Sequence, residues 1–281
     1  MQISNFPYDS NDFPDTLRQL DKPPTSINVL GTLPKDSLVA VVGSRRPTAY
    51  GERITYQITS ELAKAGAVIV SGLAIGVDSI AHRAALDAGG KTVAVLAQGL
   101  DRIYPAQHRG LAKEILAKGG ALVSEYDVGT ESYPGNFVAR NRIIAALSMA
   151  VIVTEAAAKS GSLITARDAA DIGRIVMAVP GNITSVFSAG PNNLIRTGAI
   201  AITSATDAIV ALGFHAREAV AVPPQSADEA LLLRLLDEGT GTSDELITKS
   251  QLSAAQFANI ISLMEITGKV RNLGAGTWVI R

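Results

Sequence analysis

The sequence predicts an α/β protein: a doubly wound, mostly parallel Rossmann-like sheet followed by a small C-terminal winged-helix domain. Three observations carry this. Short runs of Val, Ile and Ala recur without a polar face, as in parallel strands covered on both sides. Amphipathic stretches of helix length separate them, which makes βαβ units. After a Pro-rich break, three helical patterns precede an alternating stretch around Gly274-Ala275-Gly276, the element order of a winged helix.

Taken in order, residues 1–37 are rich in Pro and Asp, with "DKPPTS" as a breaker cluster, and are expected to form an extension packed on the main domain. Residues 38–213 form that domain. Strands are expected at "LVAVV", "AVIVS", "KTVAVLA", "ALVSE", "AVIVTE" and "IVMAVP". The helices between them fall at 50–65, 77–88, 107–118, 137–148 and 163–172, with short helices at "NNLIRTG" and 206–212 closing the domain around "AIAIT". Residues 214–226, with Pro223-Pro224, read as a linker, and 227–281 as the winged helix. In a doubly wound domain the ligand lies outside the carboxyl ends of the strands.

Composition narrows the function classes. The 281 residues are 47% hydrophobic and 18% charged, the balance of a folded chain rather than a disordered one. There is no cysteine, which excludes disulfides and thiolate metal sites and fits a reducing cytoplasm. The N-terminus lacks the basic and apolar regions of a signal peptide, and no apolar run reaches membrane-spanning length, so no membrane partner is expected. The net charge of −1 does not announce a nucleic-acid binder, so such a function would need a local patch.

The strand ends supply one. Strand one ends in "GSRRPTAYG", where a dinucleotide site would carry more glycines and a P-loop a Gly-Lys-Ser/Thr ending. Gly43, Ser44, Arg45 and Arg46 form this turn. Ser71 and Gly72 end strand two, and Lys159, Ser160, Gly161 and Ser162 follow strand five. Gly/Ser turns at helix N-termini offer backbone amides to anions. Six cations against three carboxylates between Asn136 and Ile200 give a local surplus, suited to several phosphates along a strip. Arg140 and Arg142 diverge by about 200° on a helix, so one can face a ligand while the other pairs with Glu125 or Glu155. Phe137 reads as core or as a stacking platform. Asp78 and His82 share a helix face without a third metal ligand and read as internal hydrogen bonding; no catalytic residue, metal or cofactor is expected. The presumed recognition helix of the winged domain, 253–265, has no Lys or Arg, and five cations against seven carboxylates there point to protein contact, with at most weak duplex binding by Lys269 and Arg271.

Seven segments in order resemble the motifs of the DNA-processing protein A family (DprA, also called Smf): "VAVVGSRRPTAYGE", "SGLAIGVDSIAH", "VLAQGLDRIYP", "FVARNRIIAALS", "KSGSLITA", "GRIVMAVPGNI" and "GPNNLIRTGA". The resemblance implies a single-stranded DNA-binding protein without catalytic activity. Such a protein guards incoming strands in natural transformation, loads the RecA recombinase and forms a homodimer through the Rossmann-like domain. It assigns Arg45 and Lys159 to a basic DNA pocket. Ser71, Gly72, Arg140, Asn141 and Arg142 border that pocket, with Phe137 as a base-stacking partner. Two departures stand out: the stretch before Leu38 leaves no room for the N-terminal helical domain many relatives carry, and Ala97 and Gln98 stand where a glycine is common. A Rossmann-like nucleotide-hydrolysing enzyme is the alternative, although its "PGGxGT" loop is replaced here by "EAAAKSGSLIT".

Overall fold

The structure, a computed structural model, describes residues 2–34, 37–214, 224–274 and 276–280. Two compact units, Met1–Arg217 and Glu218–Arg281, divide the chain. Most of the linker expected at 214–226 lies outside the described residues.

The first unit is built on nine strands: β1 (Ile3–Pro7), β2 (Ser26–Gly31), β3 (Leu38–Val42), β4 (Val68–Ser71), β5 (Thr92–Val95), β6 (Ala121–Ser124), β7 (Ala150–Val153), β8 (Ile175–Ala178) and β9 (Ile200–Ala201). Their spatial order is β1-β2-β6-β5-β4-β3-β7-β8-β9. From β6 to β9 every neighbouring pair is parallel. All five residues of β3 are buried. Leu38, Ala40 and Val42 enter one core while Val39 and Val41 enter the other, which is why the strand reads as an unbroken apolar run. Helices α2 (Ala49–Lys64), α3 (Val77–Asp87) and α8 (Ala205–Ala211) cover the Val39 face. Helices α1 (Asp15–Arg18), α5 (Pro134–Leu147) and α6 (Ser162–Asp171) cover the other. Helix α4 (Arg109–Ala117) packs with β5 and β6 in a third cluster, and α7 (Ala189–Arg196) follows β8.

The N-terminal stretch does more than pack on this domain. It extends the sheet, β2 running antiparallel to β6 with Asn28 opposite Ser124, and β1 antiparallel to β2. The chain then enters the centre of the sheet at β3, steps outward through β4, β5 and β6, and returns along α5 to lay β7 on the other side of β3. The strand order thus reverses between β3 and β7, and the carboxyl ends of those two strands open the crevice where such folds bind ligands.

The second unit consists of α9 (Ala227–Asp237), α10 (Ser243–Ser250), α11 (Ala254–Ile266) and the antiparallel pair β10 (Val270–Gly274) and β11 (Thr277–Ile280). Each helix starts on a hydroxyl that accepts a backbone N–H three residues on: Ser226 from Glu229, Thr242 from Glu245 and Ser253 from Gln256. The sequences "SADE", "TSDE" and "SAAQ" are the Ser/Thr-x-x-Glu/Gln signature of such starts. Leu232, Leu246, Phe257, Ile261, Met264 and Trp278 form the core, and the Trp278 indole donates to Ser243 Oγ at 2.9 Å.

Candidate nucleic-acid interface

A groove of about 690 Å³ opens at the reversal point of the sheet. One wall comes from the end of β3 (Gly43, Ser44 and Arg45), and another from the turn after β7 (Lys159, Ser160, Gly161 and Ser162). Phe137, Arg140 and Asn141 of α5 line it too, with Asp78 of α3 and Tyr104 from the loop after β5.

The β3 turn is held from the neighbouring strand. Ser44 N–H donates to Glu155 O at 2.6 Å, and the Glu155 carboxylate accepts from Thr48 N–H at 2.8 Å and Thr48 Oγ1 at 2.7 Å. Thr48 Oγ1 in turn accepts Gly51 N–H, so Glu155 fixes the start of α2. Close approach explains the glycines here. A Cβ on Gly43 would stand 2.7 Å from Glu155 O, and one on Gly51 would strike the Glu155 carboxylate. The turn therefore presents Arg45 and Arg46 outward, both exposed. Ser44 Oγ does not face a ligand freely, because it accepts the Arg46 N–H at 3.0 Å. The Arg45 guanidinium lies 5.5 Å from the centre of the Phe137 ring, a cation–π distance.

On the β7 side Lys159 is exposed, Ser160 Oγ and Ser162 Oγ are 2.8 Å apart, and Asn141 Nδ2 donates to Gly161 O at 3.2 Å. Among the described residues no carboxylate lies within 4 Å of Arg45, Arg46 or Lys159. Lys159 and Arg45 thus bring uncompensated positive charge to one groove, flanked by the first turns of α5 and α6. That arrangement is chemically suited to anions such as phosphates.

Several residues expected at this edge do other work. Ser71 is fully buried and donates to Val41 O at 2.7 Å, tying β4 to β3. Gly72 gives its N–H to Asp78 Oδ2 at 3.0 Å and its carbonyl to Arg140 Nη1 at 2.8 Å. Arg140 is 4% exposed, and the same Nη1 also donates to Val95 O. It forms part of the groove floor and splints the ends of β4 and β5 instead of reaching out. Burial pushes the Asp78 carboxyl up, opposed by Arg140 and the backbone donors, and holds the Arg140 guanidinium down to about 10. Arg142 pairs with Glu125 at 2.5 Å, one of the two partners the sequence offered, and does not line the groove. Neither arginine of "RNR" offers a free guanidinium, because one is spent on carbonyls and the other on a carboxylate.

Asp78 and His82 prove to be internal: Asp78 holds the Gly72 and Ala74 N–H groups, and His82 Nδ1 bonds Thr92 Oγ1 at 2.7 Å. Tyr104 is an aromatic lining residue that the sequence motifs do not single out. Its ring centre lies 5.6 Å from that of Phe137 at an interplanar angle of 56°. In the winged helix, Lys269 is buried against Glu229 at 2.7 Å, so the expected phosphate contact from the wing loses that cation.

Gly72 carries the first prediction. A Cβ there would stand 2.4 Å from the Arg140 guanidinium, which carbonyls hold in place. Gly72→Ala is expected to destabilise the first unit by about 1–3 kcal/mol through overpacking. Urea unfolding followed by circular dichroism reads this, and an unchanged midpoint would contradict the splint role.

Residues 5–213 match the family described as DNA recombination-mediator protein A, and residues 216–276 match the DprA winged helix domain. The DNA processing protein DprA of Bacillus subtilis is 42% identical over 208 residues, covering 73% of this chain and 70% of its own length. This chain spans only 53–61% of the length of other curated relatives it matches. Among solved structures, DNA processing protein A of Streptococcus pneumoniae aligns with a TM-score of 0.69 at 38% identity, over 75% of this chain and 74% of that one. The Helicobacter pylori protein, whose structure concerns its single-stranded DNA binding mode, aligns with a TM-score of 0.67 at 35% identity, over 76% and 98%.

Proposed function

This chain belongs to the DNA recombination-mediator protein A family, and on that premise we propose that it binds single-stranded DNA in the β3–β7 groove and passes the strand to the RecA recombinase. The observation that carries the reading is the placing of Arg45 and Lys159 in one open groove, with no carboxylate among the described residues within 4 Å of either. Phosphates of a flexible strand can follow the Arg45 and Lys159 side chains and the Lys159–Ser162 turn, while aromatic rings stand beside them. A duplex offers the phosphates but keeps its bases stacked away from Phe137 and Tyr104. The Helicobacter pylori relative supports the ligand class.

The activity is non-catalytic. A nucleotide-hydrolysing site would need a carboxylate or imidazole free to handle a proton at this edge. Glu155 is committed to Thr48, Asp78 to the N–H groups of Gly72 and Ala74, and His82 to Thr92. The protein works in the cytoplasm as a homodimer, guarding incoming strands during natural transformation. The winged helix serves protein contact, because α11 has no Lys or Arg and Lys269 is paired internally.

Titrating labelled oligo-dT and a duplex of equal length at several salt concentrations tests the proposal. Tighter binding of the single strand, with affinity falling steadily as salt rises, is the expected result. Duplex preference, or affinity indifferent to salt, would refute it.

A further inference from the structure

We propose that Tyr104 is the specificity-determining residue of this groove, the ring on which an unstacked base of the bound strand lies; this rests on the single-strand reading given above. Sequence patterns do not mark it, because an isolated tyrosine in a polar loop is ordinarily just exposed. The loop's construction sets it apart. Tyr104 is 55% exposed, yet the segment around it is fastened at many points. Leu100 is buried and Ile103 packs against the same cluster. Gln98 is 2% exposed and donates from Nε2 to Arg102 O at 3.3 Å. Its own carbonyl accepts Ser124 Oγ at 2.7 Å, Gly99 N–H reaches Thr130 O at 3.0 Å, and Arg102 pairs with Glu131 at 2.7 Å. Downstream, His108 N–H bonds Pro105 O at 3.0 Å and His108 Nδ1 meets Leu73 O at 2.7 Å.

The result is a rigid loop with one large apolar surface left bare at the rim of a groove. The tilted contact with Phe137 supports the ring from one side while its exposure leaves surface open to solvent. Little side-chain freedom remains to be lost on binding, so stacking there is pre-organised. Phe137 cannot do this alone: it is half-buried, and the Arg45 guanidinium already lies over its ring. Arg45 and Lys159 then hold the backbone, and Tyr104 reports whether the strand has a free base face to offer. Stacking tolerates any base because each has a π-face, so the selection is for single-strandedness and not for sequence.

The test uses the full chain and two oligonucleotides of equal length, oligo-dT and an abasic deoxyribose-phosphate strand, with affinities read by fluorescence anisotropy. The wild type is expected to favour oligo-dT over the abasic strand by about tenfold. Tyr104→Ala is expected to lose most of that ratio while binding the abasic strand like the wild type and keeping the same salt dependence, because stacking releases no counterions. Tyr104→Phe is expected to restore the ratio. An unchanged ratio in Tyr104→Ala, an equal loss on both strands, or failure of Tyr104→Phe to rescue would overturn the assignment. Failure of the wild type to bind either strand would remove the single-strand reading itself, a result distinct from those three.

Discussion

Replacing Arg45 and Lys159 together by alanine is expected to lower affinity for oligo-dT by about 100-fold or more at low salt. Charge-assisted hydrogen bonds contribute about 1.5–3 kcal/mol each, which is roughly ten- to a hundredfold per residue. Each lost phosphate contact should also reduce the slope of log affinity against log salt by about 0.7, so the double variant should be flatter by about 1.4. Both side chains are exposed and, among the described residues, without a carboxylate partner, so the melting temperature should hold. Arg142→Ala is the instructive contrast. Its guanidinium is engaged by Glu125, and its removal should leave the salt slope nearly intact. A double variant that keeps the wild-type slope would mean that phosphates run elsewhere.

Acid should destabilise the first unit through His82. This side chain is fully buried, and Thr92 fixes its protonation. The single hydroxyl hydrogen of Thr92 goes to Ile69 O at 2.7 Å, so Thr92 Oγ1 must accept from His82 Nδ1–H. Nε2 then carries the lone pair, and it is buried with no partner. Adding a proton there would bury a charge with no acceptor, near His108 and Arg140. Burial, then His108 and Arg140, holds the folded pKa down to about 3 from the ordinary 6.5. Between those values the unfolded chain binds a proton that the folded one refuses, so the contribution to stability is complete above pH 6.5 and drains away as pH falls towards 3. At about 1.4 kcal/mol per pH unit, the full span is worth on the order of 5 kcal/mol, and about 3 kcal/mol is lost by pH 4.5. His82→Asn should be less stable at pH 7 but markedly flatter between pH 7 and 4.5. Equal pH dependence in the two proteins, measured by urea unfolding, would exclude His82 as the source.

The central sheet was legible because burial on both faces leaves an unambiguous trace: β3 and β7 are unbroken apolar runs of five and four residues, and β5 departs from one only at its first residue, Thr92. The N-terminal strands were not. "ISNFP" and "SINVLG" mix polar residues among apolar ones, and nothing local says that Asn28 will donate to Tyr126 O across the antiparallel junction. At the groove, Arg45 and Lys159 could be read because a cation on a short turn after a strand has few places to go. Arg140 could not: the same residue type on α5 turns inward, where its Nη1 donates to the carbonyls of Gly72 and Val95 at the ends of β4 and β5. Whether a charged side chain splints or reaches is decided by those distant carbonyls, and they are invisible in a linear motif. Tyr104 was missed for the opposite reason, since its importance lies in how firmly Gln98 and its neighbours hold the loop.

The chain has one tryptophan, Trp278, and the winged helix holds it, buried with its indole on Ser243. Tryptophan emission therefore monitors the small unit alone, while five of the six tyrosines, including Tyr104, lie among residues 50–133 and the sixth is Tyr8. The two units carry separate optical labels without any chemical modification. Melting followed in the two signals would resolve whether they unfold together or apart, and quenching of tyrosine emission by an added strand, with tryptophan emission unmoved, would locate binding in the larger unit.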